Sequence, residues 1–272
     1  MKITKLVAFS LLSLCSLSCL TTKTLDIEHF YDTSVKILGQ HSGGTGVVYY
    51  SSTEETVVLT NQHVCEGIKG GGFALNKGTR HEILGFKESK LHDLCYIKVK
   101  GDLGRGVKVA PEAPMINSKI YISGHPNLYP HVLSEGYVTE TIKVNIATGS
   151  KPCDKQTAKE NPIDCIFNGD YNTVRREGLL VTALISPGSS GSGVFDENDE
   201  LVGLAFAASS SSNLGYALVV PWKFLNYFVK VESKRLEWVT PSPLLETEHY
   251  YPPGLGSVEA WKKVLKLLKD TK

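Results

Sequence analysis

Short apolar segments recur along the chain between turn-forming residues, and most alternate with polar positions. The runs 46–50 and 56–60 flank Ser51-Ser52-Thr53-Glu54-Glu55, which reads as a hairpin. Further strand patterns follow at 82–86, 94–99, 119–123, 136–140, 143–147, 179–184, 191–195, 201–207 and 215–220. About a dozen short strands with turns between them predict an all-β sandwich or barrel architecture. Helical periodicity enters late. Pro221 stands at a first helical position before the apolar run 222–229, and 257–269 places Trp261, Val264, Leu265 and Leu268 on one face, with its lysines elsewhere. Between them Pro241, Pro243, Pro252 and Pro253 predict an extended tail.

The amino terminus follows a different rule. Met1-Lys2-Ile3-Thr4-Lys5 is basic, and 6–20 is an uncharged apolar stretch too short for a bilayer span, which needs roughly 20 residues. The pattern predicts a secretory signal over 1–18, with Ser16 and Ser18 as small residues before a cleavage site ahead of Cys19. Cys19 then has two readings: an acylated first residue that anchors a lipoprotein at the membrane, or part of the removed leader. Ser16-Leu17-Ser18-Cys19 matches a bacterial lipobox only in part, because Ser16 stands where a large aliphatic residue belongs. The predicted location is secreted or periplasmic.

Composition narrows the class. The chain has 272 residues, 42% hydrophobic and 21% charged, with a formal net charge of +1. This is the balance of a globular protein, and it lacks the basic excess of a nucleic-acid binder. Of six cysteines, Cys15 and Cys19 fall in the leader region. Cys65, Cys95, Cys153 and Cys165 remain, and sequence alone leaves three connectivities open. None forms a C-x-x-C pair, so no zinc or redox site is expected, and no other motif asks for a metal or cofactor.

Three segments carry chemistry. Thr60-Asn61-Gln62-His63-Val64 ends a strand with an imidazole, the natural general base near neutral pH. Asp93 opens the strand 94–99, where a buried carboxylate needs a partner such as an imidazole N–H. Ser186-Pro187-Gly188-Ser189-Ser190-Gly191-Ser192 is a turn of small residues between strands, able to converge backbone N–H groups beside a hydroxyl.

Taken together the three segments resemble the chymotrypsin-fold, trypsin-like serine proteases, closest to the bacterial high-temperature-requirement (Deg-type) and glutamyl-endopeptidase branches. Ser42-Gly43-Gly44-Thr45-Gly46 upstream, with Gly124-His125-Pro126 and Ser134-Glu135-Gly136 later, add to the resemblance. The order His, Asp, Ser agrees, whereas α/β-hydrolases run Ser, Asp/Glu, His. The resemblance implies two six-stranded antiparallel β-barrels with a C-terminal helix: a first barrel over 30–115, a second over 116–231, and a tail over 232–272. It implies a serine endopeptidase acting on polypeptides, with Ser190 as nucleophile, His63 as base then acid, Asp93 as orienting carboxylate, and the N–H groups of Gly188 and Ser190 as oxyanion hole. Ser189 and Ser192 are serines outside the reactive register. Ser189 also replaces the acidic residue that digestive relatives use for activation by a freed N-terminus.

The same resemblance puts Leu184 near the base of the primary specificity pocket and Ala205, Phe206, Ala207 and Gly215 along its walls. A pocket without charge predicts an apolar P1 side chain. Because the triad brings together positions two residues before Cys65 and Cys95, it implies a Cys65–Cys95 disulfide, with Cys153–Cys165 as a second. Deg-type relatives add a PDZ module, for which 232–272 is too short. The terminal helix is expected to pack on the barrel through Trp261 and Leu265. A catalytically silent, protease-like binding module is the competing function, and a covalent active-site probe separates the two.

Overall fold

The computed structural model describes residues 25–40, 42–89, 91–150, 171–208 and 215–243. Six strands form a closed antiparallel barrel: β1 (Ser34–Gly39), β2 (Gly43–Ser51), β3 (Glu55–Thr60), β4 (Gly72–Asn76), β5 (Thr79–Ser89) and β6 (Leu94–Lys100), paired in the order β1-β2-β3-β6-β5-β4. Six more close a second: β7 (Lys119–Gly124), β8 (Val132–Ser150), β9 (Tyr171–Thr182), β10 (Gly193–Phe195), β11 (Leu201–Ala208) and β12 (Tyr216–Val220), in the order β10-β11-β12-β9-β8-β7. The expected fold class is therefore the one observed.

Two-residue periodicity explains how one set of strands serves two cores. Along β6, Cys95, Ile97 and Val99 fill the first barrel, while Leu94 and Tyr96 point outward into a second apolar layer. Along β11, Val202 and Ala205 fill the second barrel, while Leu201, Leu204 and Phe206 enter that same outer layer. Alternation from Leu204 leaves Phe206 on the outer side, and the pairing with β12 shifts register between Ala205 and Ala207. The shared layer joins the two barrels and is capped by Leu225 and Phe228 of α3 (Trp222–Lys230). Strands buried on both faces read as nearly continuous apolar runs, and that is why 94–99 and 201–207 were conspicuous in the sequence.

Several elements depart from the sequence expectation. The patterns at 136–140 and 143–147 belong to one strand, β8. Its pairing with β9 runs unbroken through Thr141 and Ile142, and the register shift falls earlier, between Val138 and Glu140. β1 and β4 were not anticipated, β4 because it emerges from the glycine run at 70–72. Helix α1 (Ile27–Thr33), capped by Asp26 accepting the His29 N–H, overlaps the start of the segment assigned to the first barrel. Its Phe30 nonetheless packs on the second, with ring centroids 4.9 Å from Phe195, and the Ser123 hydroxyl donates to the Phe30 carbonyl. The described part of the tail begins with a 3-10 turn at Glu232–Lys234 and then returns to the first barrel, while Pro252 and Pro253 lie outside the described residues. Val239 exchanges both backbone hydrogen bonds with Phe86, and Lys87 and Lys98 hold their ammonium groups over the Trp238 ring at 4.8 and 4.7 Å.

The predicted leader over 1–18, Cys19, the Cys153–Cys165 pair and the 257–269 helix lie outside the described residues. Among the described residues no helix is long and apolar enough to cross a membrane.

Cys65 of α2 (Gln62–Gly67) and Cys95 of β6 form a disulfide across 30 residues, both sulfurs fully buried in the first barrel. A loop of that length implies a contribution of about 3–4 kcal/mol through restriction of the unfolded chain. Replacing both cysteines by serine is expected to lower the unfolding free energy by an amount of that order in urea titration.

Candidate active site

Strands β3 and β6 pair as far as Thr60 opposite Cys95, so the residues just beyond those ends emerge side by side. After β3, Asn61 keeps an extended backbone and the chain turns into α2, whose second residue is His63. The Asn61 amide donates to the Asp93 carbonyl at 3.1 Å, tying the two connections together. Asp93 precedes β6 in the left-handed region, φ 55°, a conformation that Asp tolerates better than most residues. Its side chain is thereby turned back toward His63.

The Asp93 carboxylate is 3% exposed and well supplied with donors. Oδ1 accepts the His63 backbone N–H at 3.2 Å and lies 3.0 Å from Nδ1, with Oδ2 3.1 Å from the same nitrogen. A carboxylate only accepts, so Nδ1 carries the proton and Nε2 is left with a free lone pair. Burial pushes the Asp93 carboxyl up. The His63 hydrogen bonds and charge and the Arg176 guanidinium outweigh it, holding the group below its ordinary range. Arg176, on β9 of the second barrel, brings Nη1 to 2.9 Å from Oδ2. Sequence reasoning missed this residue, because one arginine in a strand carries no spacing signal.

The turn 186–192 is built from the other barrel. The Ser189 N–H donates to the Ser186 carbonyl and the Ser192 N–H to that of Ser189, each at 2.9 Å. The Gly191 N–H reaches the Ala205 carbonyl at 2.8 Å, and the Ala205 N–H returns to Ser192 at 2.9 Å. Gly188 and Gly191 both have positive φ, 91° and 85°. A Cβ on Gly188 would lie 2.8 Å from the His125 carbonyl oxygen and from the Leu128 nitrogen, and one on Gly191 would lie 2.0 Å from the Thr45 oxygen. Only glycine meets both constraints. Among the described residues, neither the Gly188 nor the Ser190 N–H donates a backbone hydrogen bond.

Thr45 of β2 holds this turn to the first barrel. Its N–H donates to the Ser190 carbonyl at 2.8 Å and its hydroxyl to the Gly188 carbonyl at 2.8 Å. The same hydroxyl accepts the His125 N–H at 3.1 Å, and the Thr45 carbonyl accepts from Thr60 Oγ1, three residues before His63. Ser190 is half-buried, and no hydrogen bond to its hydroxyl is formed among the described residues. Ser189 is 3% exposed with its oxygen accepting the Ser186 N–H, and Ser192 is fully buried against Gly124, so neither presents its hydroxyl.

The residues expected around a specificity pocket divide. Leu184 is 75% exposed, an open rim position in place of an enclosed base, and its methyl group faces Gly215. Ala205 is fully buried, with its backbone committed to the 186–192 turn. Ala207 is partly buried and packs against the shared layer. Phe206 turns toward that layer and lines a cavity of about 260 Å³ together with Asp93, Arg176, His92 and Phe224, to which neither Leu184 nor Gly215 contributes. Of the other histidines, His92 stacks on Phe224 at 4.6 Å, and His131 Nε2 lies 2.8 Å from Ser123 Oγ. Among the described residues no three His, Cys, Asp or Glu side chains are grouped to hold a metal.

Comparison with protein families finds that the model described as a trypsin-like peptidase domain matches residues 44–204. Comparison with curated proteins finds no significant sequence match. Among solved structures, the active form of the Rv3671c protease from M. tuberculosis superposes with a TM-score of 0.59 at 18% identity, covering 80% of this chain and 86% of that one. Its inactive form gives 0.57 at 19% identity, covering 75% and 91%. A serine endoprotease from Yersinia pestis gives 0.53 at 18% identity, covering 76% and 64%. At such identities the structural likeness establishes the fold.

Two outcomes test this geometry. Thr45→Val removes the shared hydroxyl and strands the Gly188 carbonyl and the His125 N–H, each worth about 1–3 kcal/mol when buried unpaired. Thermal unfolding is expected to show the loss. Burial pushes His125 down to about 4, from an ordinary 6.5, with the Lys36 charge adding to it. The unfolded chain therefore binds a proton before the folded one does. Stability from neutral His125 is complete above pH 6.5, and on the order of 3 kcal/mol of it is lost as pH falls toward 4. Asp93, shifted the same way from 3.8, contributes stability that is lost below that value. Urea titrations between pH 4 and 7 should show the first slope, and His125→Gln should flatten it.

Proposed function

Because the chain belongs to the trypsin-like peptidase family, we propose that it is an exported serine endopeptidase whose triad is Ser190, His63 and Asp93. One observation carries the assignment: a buried carboxylate fixes the His63 Nδ1 proton and leaves Nε2 free, in a chain segment clamped through Thr45 to the turn that presents Ser190. In this reading Nε2 takes the Ser190 proton as Oγ attacks the scissile carbonyl. The Gly188 and Ser190 N–H groups receive the oxyanion, His63 returns the proton to the leaving amine, and water then hydrolyses the acyl-enzyme by the same steps. Asp93 stays ionised and stabilises the imidazolium.

The uncharged rim where Leu184 meets Gly215 supports an apolar P1 preference, since it offers a charged side chain no partner. The Cys65–Cys95 disulfide supports export, because such bonds persist in oxidising compartments.

A fluorophosphonate probe tests the assignment. The wild type is expected to be labelled and Ser190→Ala not, while Asp93→Asn is expected to lower kcat by about 10⁴ through the wrong imidazole tautomer. No labelling of the folded wild type would make the chain a silent binding module, and strict cleavage after Glu or Arg in a peptide library would overturn the P1 preference.

A further inference from the structure

The Arg176–Asp93 ion pair joins the two barrels at the one carboxylate on which the proposed base depends. Arg176 stands on β9, and Asp93 ends the connection into β6. Asp93 is buried and Arg176 partly so, with side-chain exposures of 4% and 16% and a separation of 2.9 Å. The two oxygens of Asp93 are divided between two partners: Oδ1 serves the backbone N–H and Nδ1 of His63, while Oδ2 faces Nη1 of Arg176 as well as Nδ1. We infer that Arg176 is a positioning residue that fixes the rotation of the Asp93 carboxylate and sets the low-pH limit of activity. This inference rests on the triad assignment above.

Two physical effects follow from the contact. A guanidinium on Oδ2 prevents the carboxylate from rotating about its terminal torsion, so that Oδ1 stays aimed at His63. Its positive charge also offsets part of the carboxylate field that favours the imidazolium. The His63–Asp93 pair then takes up its extra proton only at lower pH, and the free-base form needed for attack persists further into acid.

The surrounding charges are arranged so that Arg176 is the cation on this carboxylate. Glu177, its neighbour on β9, is held by Lys223 of α3 at 2.6 Å. His92 faces Glu232, with Nε2 3.9 Å from the carboxylate, and burial lowers its proton affinity. On the far side of α2, Glu88 of β5 takes the Lys69 ammonium at 2.9 Å and the Gln62 amide at 3.1 Å. Arg175 lines the same cavity as Asp93, but the ion pair to the carboxylate is made by Arg176.

The test compares Arg176→Gln and Arg176→Lys with the wild type, each first shown to be folded by its thermal melt. The acid limb of kcat/KM, measured on a peptide ester, is expected to move up by about half to one pH unit in Arg176→Gln, with KM nearly constant. Arg176→Lys, which keeps the charge, is expected to restore most of the limb. NMR titration of the imidazole in Ser190→Ala, with and without Arg176→Gln, reads the same shift without catalysis. It therefore separates failure of this inference from failure of the triad assignment. An unmoved midpoint in both experiments, or equal displacement by Gln and Lys, would overturn the role given to Arg176.

Discussion

The proposed chemistry takes a hydroxyl from one barrel and an imidazole from the other, so it depends on what fixes the two barrels at that seam. Apolar packing of the shared layer supplies the adhesion, but it is non-directional and tolerates sliding. Direction comes from Thr45. Its N–H, hydroxyl and carbonyl engage the Ser190 carbonyl, the Gly188 carbonyl and Thr60, which lie on both sides of the seam. Buried hydrogen bonds of this kind are worth little net when made and much when broken, so one register between the barrels is strongly preferred. The positive φ of Gly188 and Gly191 is the local consequence, since the turn has to fold tightly against Thr45 and the 125–128 segment to let those bonds form.

Within the first barrel the same requirement is met covalently. The β3–β6 register ends at Thr60 and Cys95, and the Cys65–Cys95 bond locks α2 to β6 immediately past that point. His63 and Asp93 are each two residues from the bridge. A fluctuation that separated them would have to open the strand pair or distort the disulfide, so the hydrogen bond between them is pre-organised rather than formed on demand.

The parts legible in the sequence were those with local signatures. Strands such as 94–99 and 201–207 could be read because burial on two faces makes them apolar throughout, and the His63, Asp93 and Ser190 segments because their turn chemistry is confined to a few residues. What could not be read depends on register between distant strands. β4 follows a glycine run and takes its identity from pairing with β1 and β5, so its own residues carry little signal. The resemblance put Phe206 on a pocket wall, but it shares the outer face with Leu204 and lines the cavity beside Asp93, a placement set by barrel packing that the local sequence does not carry. Thr45 lay inside a recognisable glycine-rich stretch, yet its three-way role requires partners 15, 80 and 143 residues away. Arg176 is the extreme case, for its function is defined by a contact across two barrels.

That contact gives the nearly neutral composition a different meaning from the one totals suggest. A net charge of +1 describes the average surface and says nothing about a seam where charged groups stand at hydrogen-bond distance. There the order of partners decides the chemistry. A lone imidazole on Asp93 would be a tightly held imidazolium partner, whereas the same carboxylate shared with a permanent cation holds its histidine less strongly. Cations on the neighbouring β9 and β5 carboxylates, Lys223 on Glu177 and Lys69 on Glu88, leave those acids little call on the Arg176 charge. Function in this fold therefore rests on how a few charges are divided between the two barrels, and the division is set by the same strand registers that close them.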